Sequence, residues 1–494
     1  MSRRVLDPTF HRTDLGNAGR LAKWFGQDLR YCSAFGWFVW DGSRWAEDRT
    51  GRVMSLAKQT VCTIYTSASR IPEDDERKAF KQFALESESR SRLEAMIALA
   101  KTEPDIPITP EALDADPWLL NVKNGTLDLR TEKLYSARRE DFITRQAPVI
   151  YDPQAECPAW LAFLSQILQG DLEQITFLQR AIGHALSGDT REQLLFILHG
   201  DGANGKSTFL NILSRLFGEY GATTPAETLL VKKGEGPRND LARLKGIRFV
   251  AAIETEQDKR LAEALVKQVT GGDRIAARFL YKEIFEYDPE FKIFLAANHV
   301  PIIRGGDHAI WRRLRLLPFK VVFQEKDQDK ALKSKLAAEL PGILRWAVVG
   351  CLAWQQEGIG LPPAVEEATA EYRAEMDTFT KFLKECCEQD QKGETSAKSL
   401  YEAYARWCDD LGVAFPVTKK EVGRRLRGLG CEARKGTAGA RIWRGIRLVS
   451  GTSDVSGLDS ITSPHMRGKS PVTEVGPLTP HLPLPSADPH GPWG

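Results

Sequence analysis

The chain has 494 residues, of which 42% are apolar and 27% charged, and its 68 Lys and Arg nearly balance its 66 Asp and Glu. These values are typical of a folded, water-soluble protein, and the length suggests about three domains. The N-terminus lacks the apolar core of a signal peptide, no apolar run reaches the length of a membrane span, and the cysteines and histidines lack the spacing of a disulfide framework or a zinc site. We therefore expect a cytoplasmic protein with no membrane partner.

The first predicted domain covers residues 1–150 and combines helices with hairpins. A helical pattern begins at Thr13 or Asp14, which suit a helix N-terminus, and it ends at Gly26. Two longer helical patterns, rich in Ala, Lys, Arg and Glu, lie within residues 53–101. We expect a mixed α+β domain.

Two hairpins are predicted in the same domain. An aromatic strand starts at Phe35 and reaches an Asp-Gly turn at Asp41, and a second strand begins at Arg44. A second hairpin covers residues 119–129 and turns at Asn124-Gly125. The first hairpin contains three tryptophans, which can stack on nucleic-acid bases, but tryptophans in a small β unit more often form its core. We interpret them as core residues: Trp37, Trp40 and Trp45.

Residues 151–190 are predicted to form a helical linker with helices at 159–168 and 172–186. Residues 191–350 then alternate strand-like apolar runs with helical ones, which is typical of an α/β domain with a parallel sheet covered by helices. The apolar runs are residues 194–199, 248–253 and 291–297.

The first of these strands leads directly into a glycine-rich loop and a helix. Gly200, Gly205, Lys206 and Ser207 match G-x4-G-K-S, the Walker A pattern, in the strand, loop and helix context that it requires. Glycines let successive N–H groups turn toward a polyphosphate, and the helix N-terminus adds partial positive charge. Lys206 would reach the β- and γ-phosphates, and the Ser207 hydroxyl would bind Mg²⁺. The alternative, a chance glycine-rich turn, is disfavoured by the flanking elements. The predicted cofactors are therefore ATP and Mg²⁺, and the predicted nucleotide-binding residues are Gly200, Asp201, Gly202, Ala203, Asn204, Gly205, Lys206, Ser207 and Thr208.

Two acids follow the second strand. Glu254 comes directly after Ile253, at the carboxyl end of a buried strand, and Glu256 follows two residues later. A carboxylate at this point can order the Mg²⁺ shell and polarise the attacking water. By itself the pair would be interpreted as two solvated acids, but its position downstream of a Walker A loop favours catalysis. We predict Glu254 as the Walker B acid and Mg²⁺ ligand, with Glu256 as its helper.

The third strand also ends in a polar residue, Asn298, whose amide could bind the γ-phosphate or hold the attacking water. Arg312 and Arg313 follow, and a guanidinium suits the transferring phosphoryl group when a neighbouring subunit supplies it. Without the preceding elements this pair would be interpreted as a solvated face. The predicted catalytic residues are Lys206, Glu254, Glu256, Asn298, Arg312 and Arg313.

After a helical linker at 351–375, residues 376–449 have a different character. A helix is predicted from Ser396 to Leu411, and Thr418 with Glu421 forms a capping box that opens a second helix. Two short strands then flank a Gly-Thr-Ala-Gly turn.

This segment is strongly basic where the whole chain is neutral. Between Lys419 and Arg447 there are ten Lys or Arg and two Glu. A helix followed by a basic hairpin is typical of a winged helix that sits on duplex phosphates, and the alternative is a solvated basic face. The residues predicted to contact DNA here are Lys419, Arg424, Arg425, Arg427 and Arg441. Residues 450–494, rich in Pro, Ser, Gly and Thr, are predicted to be a disordered tail.

The ordered motifs resemble a known family. GDGANGKST, FVAAIETE, KQVTGGDRIAARFLYKEIFEYDPEFKIFLAANHVP and AIWRRLRLLPF are similar to the superfamily 3 helicase module of phage and plasmid primase-helicases, akin to the poxvirus primase-helicase. TDLGNAGRLAKWFG and WDGSRWAED resemble the domain that precedes that module, so the resemblance covers about residues 10–450. It implies an AAA+-like ATPase core, with Asn298 as sensor 1 and Arg312 or Arg313 as an arginine finger acting in trans.

The resemblance also implies a hairpin that carries a basic residue into the channel of a hexamer, and we assign Lys282 to that role. Arg278 and Lys282 lie beside aromatic residues, an arrangement that can grip a phosphate backbone or stack a base. The alternative is an ordinary amphipathic strand.

The chain departs from the family in two ways. It starts almost at the helicase-associated domain, so we expect primers to come from a separate primase. It also has Glu-Thr-Glu where other branches have adjacent acids, so the choice between Glu254 and Glu256 stays open.

These features predict an ATP-dependent replicative DNA helicase that forms a ring, a hexamer by resemblance, on single-stranded or forked DNA. The resemblance implies movement from 3′ to 5′ and a phage, prophage or plasmid setting in the cytoplasm of a bacterial host. A separate primase or replication initiator would be a partner. One alternative is an ATP-regulated, origin-binding initiator without strong unwinding, and a second is a P-loop kinase acting on a small molecule.

Overall fold

The computed structural model describes residues 9–232, 239–253, 259–278, 285–303, 308–413, 416–436 and 440–449. The predicted tail at 450–494 lies outside these residues.

The N-terminal part combines four helices with two small antiparallel sheets, β1-β2-β3 and β4-β5-β6. Its elements are α1 (Asp14–Phe25), β1 (Leu29–Cys32), β2 (Gly36–Trp40), β3 (Trp45–Glu47), α2 (Arg52–Ala68), α3 (Asp74–Ser87), α4 (Arg90–Ala100), β4 (Leu119–Val122), β5 (Gly125–Asp128) and β6 (Lys133–Tyr135). The predicted start of α1 is confirmed, because the Thr13 hydroxyl accepts a hydrogen bond from the Gly16 N–H at 3.1 Å.

The prediction of two helices within residues 53–101 is wrong, since α2, α3 and α4 occupy this stretch. The second pattern is broken at Ser89, where ψ is 144° and the backbone leaves the helical region. The Ser87 hydroxyl just before the break donates to the Phe83 carbonyl and accepts from the Asn17 amide. These contacts fix the end of α3 against α1.

Both predicted hairpins form. In the first, Trp40 pairs with Trp45 across the turn, and Trp45 is fully buried under the Arg30 guanidinium, 4.6 Å from the ring centroid. In the second, Gly125 already pairs with Val122, so the turn lies one residue earlier than predicted. A Cβ on Gly125 would lie 2.1 Å from the Tyr135 carbonyl oxygen, so this glycine permits close packing of β6.

The centre of the chain is a five-stranded parallel sheet in the order β13-β7-β12-β9-β8, covered by helices. The elements that build and surround it are α5 (Pro158–Ile167), α6 (Leu172–Leu186), β7 (Leu195–His199), α7 (Lys206–Phe217), β8 (Gly221–Pro225), α8 (Asn239–Ala242), β9 (Phe249–Ile253), α9 (Glu263–Gly271), β10 (Ile275–Ala277), β11 (Phe285–Tyr287), β12 (Lys292–Ala297), α10 (His308–Trp311), β13 (Leu314–Pro318), α11 (Leu332–Ala338), α12 (Leu340–Glu357) and α13 (Pro363–Met376). The three predicted strands are confirmed as β7, β9 and β12. The outer strands β8 and β13 were not predicted.

The apolar strands are buried on both faces, as expected for a parallel sheet. Phe196 and Leu198 of β7 belong to one hydrophobic core, and Leu195 and Ile197 belong to the core on the opposite face. The first core also contains Leu120 and Leu127 of the β4-β5 hairpin. This hairpin therefore shares a core with the central sheet.

Helices α6 and α12 pack with their backbones in contact. A Cβ on Gly183 would lie 2.1 Å from the Cys351 nitrogen, and one on Gly350 would lie 2.1 Å from the Gln179 carbonyl oxygen. The predicted boundary between residues 350 and 351 falls inside α12.

The C-terminal part has three helices and one antiparallel sheet in the order β14-β16-β15, and it has its own core. Its elements are α14 (Thr378–Cys386), β14 (Cys387–Ser396), α15 (Ala397–Asp410), α16 (Lys419–Gly428), β15 (Glu432–Lys435) and β16 (Arg441–Leu448). Both predicted helices and the hairpin that follows them are confirmed. Strand β14 was not predicted, because its polar sequence is mostly exposed and shows no apolar alternation.

In the described part of the chain, no single helix is long and apolar enough to cross a membrane, although the bent pair Glu325–Ala338 and Leu340–Glu357 passes on length and composition.

Candidate nucleotide site and nucleic-acid surface

The glycine-rich loop connects β7 to the N-terminus of α7, as predicted. Gly200 and Gly205 have φ values of +155° and +90°, which disfavour any residue with a Cβ. A Cβ would also lie 2.2 Å from the Phe319 carbonyl oxygen at Gly200 and 2.6 Å from the Ile167 side chain at Gly205. At Gly202 a Cβ would meet nothing within 4 Å. The two flanking glycines thus set the shape of the loop.

Lys206 is buried at the first position of α7 and turns back over the loop. Its Nζ donates to the carbonyl oxygens of Gly200 and Asp201 and to Oδ1 of Asn204, the last at 3.1 Å. Burial lowers the pKa of Lys206, and the nearby Asp201 carboxylate partly offsets this effect. An ammonium held over a loop at a helix N-terminus is placed to bind an anion. Ser207, on the first turn of α7, is exposed.

Three parallel strands end side by side at the edge of the sheet that carries this loop. The register pairs His199 with Ala297, and Ala296 with Ile253. Asn298 follows β12 directly and is exposed at this edge. Glu254 and Glu256 follow Ile253 in sequence but lie outside the described residues.

His199 was not singled out from the sequence. It is half-buried at the end of β7, where burial and the neighbouring Lys206 lower its pKa, and a backbone hydrogen bond with Asn298 partly offsets the shift. This side chain joins two of the strand ends. Its position at the end of an apolar strand was the only sequence signal for it.

The arginine pair lies at the amino ends of the parallel strands, whereas the phosphate loop lies at their carboxyl ends. Leu314 begins β13 and pairs with Leu195, the first residue of β7. The phosphate loop begins at Gly200, directly after β7 and five residues from Leu195. At about 3.3 Å per residue, the amino and carboxyl ends of this strand are therefore about 16 Å apart.

The two arginines differ in burial. Arg313 is 7% exposed and donates to Thr270 Oγ1 at 3.2 Å, the Ala309 carbonyl oxygen at 2.7 Å and Gln193 Oε1 at 3.2 Å. Arg312 is exposed and donates to the same Gln193 Oε1 at 3.3 Å. Arg313 is therefore part of the interior, while Arg312 faces outward.

The segment predicted to contain the channel hairpin includes an antiparallel pair, β10 and β11. Ala277 of β10 pairs with Phe285 of β11, and Arg278 leaves β10 exposed. Lys282 lies outside the described residues. The Phe285 ring contacts Phe35 of the N-terminal part, with 6.5 Å between the centroids. The N-terminal part therefore touches β11.

The residues predicted to contact DNA in the C-terminal part differ in exposure. Lys419, Arg424, Arg427 and Arg441 are exposed, and Arg425 is half-buried. Arg424 and Arg425 both donate to Glu421, and Lys419 lies 5.0 Å from the centroid of the Tyr401 ring.

In the described residues, no group of three or more His, Cys, Asp or Glu side chains is arranged to hold a metal ion. The predicted Mg²⁺ ligands are a hydroxyl, Ser207, and a carboxylate outside the described residues, Glu254.

Family models match three parts of the chain. Residues 18–169 match a model described as "D5 N terminal like", residues 198–313 match a family of unknown function, and residues 374–429 match a model described as "Poxvirus D5 protein-like". The central match runs from β7 to the arginine pair.

Curated relatives come from large DNA viruses. "Putative helicase L207/L206" of Acanthamoeba polyphaga mimivirus is 27% identical, with 60% of this chain and 33% of that protein covered. "Putative helicase 022R" of Frog virus 3 is 29% identical over 60% of this chain and 39% of that protein. The chain spans about a third of the length of the curated relatives it matches.

Among solved structures, the A form apo structure of the NrS-1 C-terminal region has 11% sequence identity and a TM-score of 0.48, and the match covers 86% of this chain and 97% of that one. The family models and the viral relatives confirm the resemblance predicted from the sequence, since D5-type models match both the N-terminal and the C-terminal part and the viral relatives carry helicase names.

Proposed function

We propose that this chain is the ATP-hydrolysing motor of a replicative DNA helicase, with each hydrolytic site shared between two subunits of a ring. The observation that carries the proposal is the position of Arg312. This exposed arginine lies at the amino end of the sheet, and its own phosphate loop lies at the carboxyl end, about 16 Å further along β7. A side chain this far from its own loop would act on the site of another subunit. The helicase names of the viral relatives support the helicase function.

The residues around the loop fit a nucleoside triphosphate. Gly200 and Gly205 allow backbone conformations that a Cβ would obstruct, Lys206 supplies a cation, and α7 presents the N–H groups at the start of a 12-residue helix. Ser207 offers a hydroxyl to Mg²⁺ and Glu254 would supply the carboxylate, with Glu256 as its helper. Bound Mg²⁺-ATP would supply the phosphoryl group that is transferred to water. Asn298 would hold the attacking water, and Arg312 of the neighbour would stabilise the charge that develops.

DNA would be contacted at two places. The hairpin with Arg278 and Lys282 would face single-stranded DNA in the channel of the ring. The exposed Arg427 and Arg441 would face duplex phosphates, with the C-terminal part acting as a winged helix. The hexameric state, the 3′ to 5′ direction and the phage or plasmid setting remain predictions that rest on the resemblance.

The first test is an ATPase assay with and without single-stranded DNA, together with the mass of the assembly in nucleotide. We expect Lys206→Ala to abolish DNA-stimulated hydrolysis and Lys58→Ala, an exposed lysine on α2, to leave it unchanged. Full activity of the Lys206→Ala protein would refute the proposal.

The second test addresses the shared site. Arg312→Ala and Lys206→Ala proteins should each be inactive, and mixing them should restore hydrolysis. In a randomly mixed ring about a quarter of the interfaces combine an intact loop with an intact arginine. Mixing Arg312→Ala with itself is the control. Failure of the mixture to recover activity would remove the main support for a shared site.

The exposed basic residues of the C-terminal part also suit an origin-binding initiator whose ATP state controls assembly on duplex DNA. A forked DNA substrate separates the two functions, because an initiator would bind and hydrolyse ATP without unwinding the fork. A small-molecule kinase would remain a monomer or small oligomer in nucleotide and would gain nothing from DNA.

A further inference from the structure

Gln193 lies in the turn before β7 and was not predicted as a site residue. Its backbone has φ of +56°, and its N–H donates to the Thr190 carbonyl oxygen at 3.0 Å. A residue with a side chain is strained in this left-handed conformation and keeps it only where surrounding contacts stabilise it.

The Gln193 carboxamide uses both of its ends. Its Oε1 accepts hydrogen bonds from Arg312 at 3.3 Å and from Arg313 at 3.2 Å. Its Nε2 donates to the Gly271 carbonyl oxygen at 3.3 Å, at the C-terminal end of α9. One side chain therefore joins the start of the loop-bearing strand, the arginine pair and α9.

The partners of Gln193 differ in freedom. Arg313 also donates to Thr270 and Ala309 and is buried, so its side chain has little conformational freedom. Arg312 is exposed on a long side chain, and a hydrogen bond from its guanidinium limits the rotamers it can visit. A guanidinium restricted in this way is already oriented before a neighbouring subunit arrives.

The elements joined at Gln193 also lead to the two other functional parts. Strand β7 runs from this turn to the phosphate loop, and α9 leads through residues 272–274 into β10, where the predicted channel hairpin begins. A shift of either element would change the position of the carboxamide.

We propose that Gln193 is a positioning residue that orients Arg312 toward the nucleotide of the neighbouring subunit. The inference rests on the proposed shared site and adds the residue that presents the arginine. Because Gln193 acts through Arg312, its loss should impair the site next door and leave the nucleotide site of its own subunit intact.

The test uses Gln193→Met. Methionine has a side chain of similar length and is as strained as glutamine at positive φ, but it cannot hydrogen-bond the arginines. In the uniform ring we expect kcat of DNA-stimulated hydrolysis to fall about 10- to 100-fold, while the KM for ATP stays within about twofold. Gln193→Asn, whose side chain is one methylene shorter and tolerates positive φ, should show the same change with the fold preserved.

Subunit mixing separates positioning from a general structural role. A Lys206→Ala subunit donates its arginine to an Arg312→Ala subunit. We expect Gln193→Met to block recovery when it is added to the Lys206→Ala donor. The same change added to the Arg312→Ala acceptor should leave recovery unchanged.

The outcomes are distinct. If the two parent variants fail to restore activity, the shared site and the role of Gln193 both fall. If the parents recover but the donor with Gln193→Met works as well as the donor without it, the inference alone is overturned. A defect confined to the acceptor would also overturn it, since that result would assign Gln193 to its own loop.

Discussion

The Nη1 atom of Arg425 lies 2.5 Å from Oδ1 of Asp377, so the last turn of α16 is tied to the residue that caps α14. Arg425 also donates to Glu421 at 3.1 Å, and its side chain is only 17% exposed. The sequence grouped Arg425 with the arginines predicted to contact DNA. Its contacts instead join two helices of the C-terminal part, whereas Arg427 on the same helix is exposed.

Arg425→Ala should therefore reduce stability, and Arg427→Ala should reduce DNA binding. Removing Arg425 takes one charged hydrogen bond from each of two carboxylates, which keep donors in Thr380 and Arg424, and should cost about 1–3 kcal/mol of unfolding free energy. Removing Arg427 should leave unfolding unchanged and weaken duplex binding, with a shallower dependence of affinity on salt. Urea unfolding and salt-dependent DNA binding measure the two effects. Equal stability of the two variants would contradict this assignment.

The same contacts predict sensitivity to acid. Burial alone would raise the pKa of Asp377, but hydrogen bonds from Thr380 and Arg425 lower it below the ordinary 3.8. The Arg424 hydrogen bond lowers the pKa of Glu421, burial opposes this, and Arg425 lowers the pKa further. Carboxylates with lowered pKa values stabilise the fold above their ordinary pKa, and that contribution is lost as the pH falls through the folded-state pKa.

We therefore expect the urea midpoint of the C-terminal transition to be flat above about pH 5 and to fall below about pH 4. Arg425→Ala should reduce this fall, because the carboxylates lose the partner that lowers their pKa values. An identical acid profile in the wild type and the variant would show that the pair does not contribute.

The contact between α6 and α12 predicts that replacing Gly350 lowers the stability of the fold. Gly350→Ala would place a Cβ 2.1 Å from the Gln179 carbonyl oxygen, so the helices must separate. The better helix propensity of Ala, about 1 kcal/mol, is outweighed by overpacking and by the loss of contacts along the rest of the interface. We expect a net loss of about 1–3 kcal/mol, measured by thermal or urea unfolding.

Gly428→Ala is the matched control for that change. Gly428 also lies in a helix, α16, but a Cβ there would meet nothing within 4 Å. This variant should be neutral or slightly more stable. Equal effects of the two substitutions would show that the close approach of α6 and α12 does not matter.

Arg313→Ala should destabilise the central domain, in contrast to Arg312→Ala. Truncation of the buried Arg313 leaves the Thr270 hydroxyl and the Ala309 carbonyl oxygen without this donor and opens a cavity, so we expect a loss of about 2–4 kcal/mol. Arg312 is exposed, so its removal should change unfolding by less than about 0.5 kcal/mol. Urea unfolding of both proteins, run beside the ATPase assay, distinguishes an inactive folded protein from an unstable one.

The sequence predicted the parts of the fold whose signals are local. The phosphate loop was recognised because glycine, lysine and serine must follow one another at fixed spacing for backbone N–H groups to surround a phosphate. The caps at Thr13 and Thr418 were also found, since a capping side chain bonds an N–H only two or three residues away. Strands β8 and β14 were missed because their polar sequences carry no apolar period.

By itself the sequence therefore determined the phosphate loop, three of the five central strands, the basic character of the C-terminal part and the family resemblance. Only the tertiary structure decided that Arg312 is exposed and Arg313 is buried, and that Arg427 is exposed while Arg425 joins two helices. Arg312 and Arg313 are chemically identical, and Gln193 accepts a hydrogen bond from both. A contact particular to Arg313 is with Thr270, which lies far away in the chain. Burial depends on such distant partners, and a pattern of neighbouring residue types does not contain them.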